Sequence, residues 1–161
     1  MAQPGSGARP LDLTRGAARR PGRLCVTVKA EAIQVDTRGK LVVDITDQVE
    51  AFCARTGGDG LLHVFLPHAT AGLALMETGS GSEADLEEVV QRVFPRDERY
   101  RHQHGSIGHG GDHLLPVLIS PSMTLAVEGG RLVLGTWQRV VLIELDGPRD
   151  REIVVSVTLE R

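Results

Sequence analysis
From Leu24 to Leu159 the apolar residues of this chain arrive in short bursts, and many bursts alternate with polar residues. Leu24, Val26 and Val28 alternate with Cys25, Thr27 and Lys29, and Ile153, Val155, Val157 and Leu159 repeat the pattern at the other end. A period of two is the signature of strands with one face buried. Leu61 to Leu66 and Val140 to Leu145 are more continuous, so both are expected to be strands buried on both faces, with His63 as the exception in the first. Leu114 to Ile119 also reads as a strand. Turns are expected at Arg38-Gly39-Lys40 and Asp146-Gly147-Pro148, and Glu128-Gly129-Gly130-Arg131 predicts a hairpin joining Leu125–Val127 to Leu132–Leu134.

Two segments change to helical spacing. Thr46 is the expected N-cap of the first, with Asp47 in its first turn, Val49, Phe52 and Cys53 inward, and Gly57-Gly58 as its stop. Ser82 is the expected cap of the second, whose stripe is Leu86, Val89, Val90 and Val93 and whose end is Phe94-Pro95. About eight strands and two helices without steady β-α alternation give the class α+β, a mainly antiparallel sheet covered by helices on one side. So much apolar strand in so short a chain also suggests that some strand surface is buried in an oligomer.

The chain has 161 residues, a size expected of one domain with a real core. Its formal charge of −3 conceals an asymmetry. Residues 1–23 carry Arg9, Arg15, Arg19, Arg20 and Arg23 against Asp12, which is +4 and leaves −7 on the rest. We therefore expect a poorly ordered N-terminal extension over 1–23 and one domain over 24–161. An acidic body argues against nucleic-acid binding, and no run is long enough to span a membrane. Cys25 and Cys53 lie in apolar settings at no metal-like spacing, as expected of buried thiols in a reducing, cytoplasmic compartment.

Chemistry concentrates between Tyr100 and His113. Four of the six histidines fall there, His102, His104, His109 and His113, among Gly105, Gly108, Gly110 and Gly111. Glycine permits tight folding, and neutral imidazole is the commonest metal ligand. His68, His102 and His113 are the expected ligands of a catalytic-type divalent site, zinc before other metals, with His104 as the alternative ligand. His109 reads as loop surface. Glu77 stands at a strand mouth and suits a general base or a residue that orients a ligand. Trp137 is either a core plug or the floor of a pocket for a planar ring, and the backbone around Thr136 could offer N–H groups to a phosphate.

In combination, His68-Ala-Thr-Ala-Gly-Leu, Glu77, Tyr100-Arg-His102, His113 and Gly129-Gly-Arg-Leu-Val-Leu-Gly-Thr-Trp-Gln138 resemble the YjbQ family, over Leu24 to Arg161. The resemblance implies a compact α+β fold, a homotrimer with a pocket near a subunit boundary, and secondary thiamine-phosphate synthase activity. In that reaction a thiazole phosphate displaces the diphosphate of a hydroxymethylpyrimidine diphosphate. It carries over His68, Glu77, His102 and His113 as site residues and Trp137 and Gln138 as pocket lining. A divalent cation (zinc at the histidines, or magnesium with a diphosphate) with Glu77 or Asp112 as ligand, or Arg101, would neutralise the leaving group. This chain departs from the family's usual pattern at Met76, Thr78, Leu115 and Pro116–Ser120, where an asparagine pair, a basic residue and Ala-Ser-Leu-Leu-Gly are common. The bottom-up alternative is a metal-dependent hydrolase or small-ligand binding protein at the same histidines.

Overall fold
The strands of the described residues pair antiparallel throughout, the arrangement in which a sheet can bury one face and leave the other open. A computed structural model describes residues 26–102 and 104–160. The expected extension over 1–23 and the strand onset at Leu24 and Cys25 lie outside the described residues. The described residues form β1 (Val26–Asp36), β2 (Val42–Asp44), α1 (Thr46–Thr56), β3 (Gly60–Phe65), β4 (Ala71–Met76) and α2 (Ser82–Val93). Two single turns follow, α3 (His109–Asp112) and α4 (Leu115–Leu118), and then β5 (Ser122–Glu128), β6 (Arg131–Leu132), β7 (Arg139–Glu144) and β8 (Asp150–Glu160).

The eight strands make two sheets, where the sequence suggested one. Five run in the order β1-β8-β3-β5-β6 and three in the order β2-β7-β4. Leu62, Val64, Ile153, Val155 and Val157 of the larger sheet face Leu73, Val140 and Leu142 of the smaller, with Val49, Phe52 and Cys53 of α1 completing the core. Burial pushes the Cys53 thiol pKa up, which keeps it an inert filler. The far side of the small sheet carries Val141 and Ile143 against Val90, Phe94 and Leu115, so α2 and the segment around α4 form an outer layer.

The predicted hairpin forms, with Val127 opposite Leu132 and Glu128 opposite Arg131. Several other expectations change. β3 is buried on one face only, because Leu62 and Val64 point inward while Leu61, His63 and Phe65 face out. Leu114–Ile119 is not a strand: Pro116 suits the first turn of a helix, having no N–H to satisfy there, and α4 results. Thr46 does not cap α1. Its own N–H donates to the Asp44 carboxylate at 2.9 Å, and its buried hydroxyl accepts the Val140 N–H at 2.8 Å. Ser82 does not cap α2 either, since the chain enters through left-handed Gly81 and the Gly79 N–H donates to Glu83 at 2.8 Å. Of the α2 stripe only Val90 is buried, and Val89 and Val93 are exposed.

Leu62 is fully buried between the sheets. Leu62→Ala is expected to cost about 2–5 kcal/mol through lost transfer energy and the cavity left behind. Urea unfolding followed by circular dichroism checks this, and a midpoint equal to wild type would contradict the assigned core face.

Candidate metal centre at the histidine loop
The histidine loop is held by close backbone approach. Gly108 has φ +83°, and a Cβ there would fall 2.4 Å from Arg96 Cα. At Gly110 a Cβ would fall 2.5 Å from Tyr100 Cβ. Only glycine lets the loop lie this tightly on the Arg96–Tyr100 segment. That contact sets α3 beside His102, and α3 then places His109, Asp112 and His113 at helical spacing on one face.

Four imidazoles converge as a result. One ring nitrogen from each of His102, His104, His109 and His113 lies within 4.8 Å of those of the other three. Nε2 of His109 and Nε2 of His113 are 3.0 Å apart. Ring centroids are separated by 4.0 Å between His102 and His104 and by 4.6 Å for both His102–His113 and His109–His113. His109 and His113 are half-buried, and His102 and His104 are exposed. Loss of hydration and then the neighbouring imidazoles hold the His102 pKa below the ordinary histidine value. Clustering thus favours the neutral ring, the form that binds metal.

Behind the rings lies a buried polar anchor. Asp112 accepts from Arg96 through both carboxylate oxygens, at 2.9 and 3.1 Å. Its Oδ2 is 3.3 Å from His109 Nδ1, and Asp146 Oδ1 is 3.8 Å from the same nitrogen. Burial raises the Asp112 pKa, while Arg96 and His109 pull it back. The two-pronged contact is that of a carboxylate with a guanidinium. Arg96 also donates to the Leu145 carbonyl at 2.8 Å, which fixes the loop to the end of β7. An open cleft of about 360 Å³ adjoins His102, lined by Asp97, Glu98, Tyr100, Ser106 and Ile107 among others.

The convergence differs from the expected His68, His102 and His113. His68 joins no such ligand group among the described residues. Its Nε2 accepts the Glu152 N–H at 3.0 Å, which engages the lone pair and leaves the proton on Nδ1. It stands beside a buried network in which Arg151 pairs with Glu144 and donates to Thr70 at 2.7 Å. His109, expected at the surface, belongs to the cluster instead. The spacing of His109 to Asp112 and His113 was the available signal, and Gly110-Gly111 between them hid the helical turn. Arg96 and Asp146 were not singled out at all.

The remaining site residues do not join the cluster within one chain. Met76 pairs with Arg139, so Glu77 and Gln138 flank the first end of β7. Asp146, beside His109, follows its last residue, a strand length away at about 3.3 Å per residue. Glu77, Arg101, Thr136 and Gln138 are exposed. Trp137 is 71% exposed, so it does not plug the core.

Residues 31–160 match the family described as UPF0047 protein YjbQ-like. A UPF0047 protein of Mycobacterium tuberculosis is 54% identical over 121 residues, covering 74% of this chain and 90% of that one. One from Archaeoglobus fulgidus is 39% identical over 115 residues, covering 71% and 89%. Among solved structures, a YbjQ-like protein of unknown function from Sulfolobus solfataricus superposes with a TM-score of 0.78 at 30% identity, covering 84% of this chain and all of the other. A YjbQ/UPF0047 protein of Clostridium acetobutylicum gives 0.73 at 32% identity, covering 79% and 98%.

Burial and then Arg151 lower the His68 pKa from its usual 6.5. The folded state therefore favours neutral His68, whose stabilising contribution is complete above the unfolded pKa and is lost as pH falls through the depressed folded value. Melting temperatures of wild type and His68→Gln between pH 7.5 and 5 test this. Wild type is expected to lose more stability over that range, and parallel curves would contradict it.

Proposed function
The chain belongs to the YjbQ-like UPF0047 family, and from that premise we propose that it is a divalent-metal-dependent enzyme acting on a small phosphorylated substrate at the histidine cluster. The observation that carries this reading is the convergence of four imidazole nitrogens within 4.8 Å. Ligands around a tetrahedral zinc stand about 3.3 Å apart, given Zn–N bonds of about 2.0–2.1 Å. The 3.0 Å between the Nε2 atoms of His109 and His113 lies near that spacing, and the donor set suits zinc by number and chemistry. An ion held there would supply positive charge and Lewis acidity to a phosphate oxygen or a water.

The residues around it divide the remaining tasks. Exposed His102 and His104 face the side from which a substrate arrives, and the cleft beside His102 accommodates a small molecule. Tyr100 lines that cleft, and burial followed by Asp97 raises its pKa, so the phenol remains a hydrogen-bond donor. Asp97 is paired with Arg99 at 2.7 Å, which lessens repulsion of an anionic substrate. Arg101, exposed beside His102, is the residue suited to a second phosphate.

Its finer form is the thiamine-phosphate synthase reaction. The thiazole nitrogen attacks the pyrimidine methylene carbon, the carbon–oxygen bond to diphosphate breaks, and diphosphate departs with that electron pair. A metal-dependent hydrolase is the second reading. It is favoured because Glu77, Trp137 and Gln138 lie at the opposite end of β7 from the cluster, leaving the transferase pocket unassembled within one chain.

A homotrimer is part of the same proposal and would bring residues of neighbouring subunits together. It is supported by the outer face of the large sheet, where three cross-strand rows carry no charged residue. These are Val28-Thr158-Leu61-Ala126, Ala30-Ser156-His63-Thr124 and Ala32-Val154-Phe65-Ser122. Three adjacent uncharged rows, bordered by Glu152 in the next, suit burial against another subunit.

Elemental analysis is expected to find a divalent ion in wild type that His109→Ala and His113→Ala lose, while His68→Ala retains it. Metal-free wild type would end the metal reading. Diphosphate release that requires both thiamine precursors selects the transferase, and inorganic phosphate released from a single ester selects the hydrolase. Light scattering should give three chains per particle for wild type and fewer for Phe65→Glu; a monomeric wild type would refute the trimer.

A further inference from the structure
We propose that Asp112, braced by Arg96, is a positioning residue that makes His109 a metal ligand, so that His109 and His113 form the firm half of the centre and His102 and His104 the exchangeable half. The inference rests on the metal reading above and deepens it.

The first support is the way Asp112 spends its hydrogen-bonding capacity. Its carboxylate is almost fully buried, at 3% side-chain exposure, and faces the two arms of Arg96 and the Nδ1 of His109. A carboxylate beside Nδ1 keeps the proton on that nitrogen and directs the Nε2 lone pair away from itself. Nε2 of His109 is the atom that meets His113, at 3.0 Å. Asp146, at 3.8 Å from Nδ1, adds a second acceptor on the same side.

The second support is mechanical. Arg96 ties Asp112 to the Leu145 carbonyl at the end of β7, so the carboxylate is referenced to the sheet as well as to its own loop. Gly110 and Gly111 press against Tyr100 with no room for a side chain, which restrains the turn that carries both inner rings. His102 and His104 differ on each count. They are exposed, and among the described residues they belong to no candidate ligand group with a carboxylate, whereas His109, Asp112 and Asp146 form one. An ion seated here is thus expected to hold its inner pair and to exchange its outer pair for substrate or water.

Zinc affinity of the full chain, measured by chelator competition, tests the inference, with the visible spectrum of bound cobalt as a second readout. Wild type is expected to bind one ion per chain. Asp112→Asn should weaken binding by roughly 10–100-fold and alter the cobalt spectrum while circular dichroism stays native. Asp112→Glu should restore part of the loss, and His109→Ala should lose more affinity than His104→Ala. If Asp112→Asn does not fold, Arg96→Lys, which keeps the charge but not the two-pronged grip, should show a smaller weakening. Wild-type affinity in both His109→Ala and Asp112→Asn (or in Arg96→Lys where Asp112→Asn does not fold) would overturn the inference and leave the metal reading standing. Two ions per wild-type chain would overturn it too, because the carboxylates would then be ligands themselves. No metal on wild type would remove the underlying reading.

Discussion

The ion pair between Arg151 and Glu144 joins the two sheets. Arg151 lies on β8 of the large sheet and Glu144 ends β7 of the small one, with side-chain exposures of 9% and 0%. Arg151 also donates to Thr70 on the segment between β3 and β4, while Glu144 accepts the Asp146 N–H at 2.8 Å. The pair thus gathers β8, the end of β7, the segment before β4 and the turn after β7 into one network. Such a pair adds modest net stability, but removing one partner leaves an uncompensated buried charge, a loss of about 3–5 kcal/mol. Its value lies in position. It ties β8 to the end of β7 and, through the Asp146 N–H, to the turn that follows.

From that turn outward, the candidate metal centre is a consequence of the fold. Asp146 and the Leu145 carbonyl are the fixed points to which His109 and Arg96 are referred. Arg96 follows α2, whose buried Val90 and succeeding Phe94 pack against Val141 and Ile143 on the back of the same strand. Strand, helix and loop therefore meet at one end of β7, and a glycine-rich segment with few side chains of its own can present four ordered imidazoles. Described alone, that segment would look like a flexible surface loop. Its order is borrowed from the sheet.

What was legible in the sequence follows from this arrangement. Period-two alternation at β1 and β8 is local, so both strands could be read, and Ile153, Val155 and Val157 do mark the core face of β8; in β1 the expected face is the wrong one, since Val26 and Val28 are exposed while Ile33 and Val35 on the opposite parity turn inward. The division into two sheets depends on how β2 and β4 flank β7, which no single segment encodes. β3 misled because its outward Leu61 and Phe65 are as apolar as its inward Leu62 and Val64, and hydrophobicity alone cannot tell a core face from an open one. Leu114–Ile119 misled because Pro116 acts through helix geometry while its neighbours look strand-like. At the candidate site, histidine density pointed to the loop on which four imidazoles converge, and His102 and His113 do meet. Membership was harder to read: His109 depends on contact with Asp112 and Asp146, and His68 is engaged by the Glu152 backbone, both long-range or turn-dependent facts.

The long strand β1 closes one edge of the large sheet, and edges of that length invite fibrous growth by strand addition. Here the edge carries its own guard. Lys29 and Glu31 alternate with the uncharged outer row, and they are occupied by the Thr56 carbonyl at 3.2 Å and by Arg55 at 2.8 Å near the end of α1. Charges on the inner side of an edge strand disfavour an incoming strand, which would have to cover them. At β1 strand addition is thereby disfavoured, while the uncharged rows beside it leave the outer face of the sheet as the surface with less to lose on being covered.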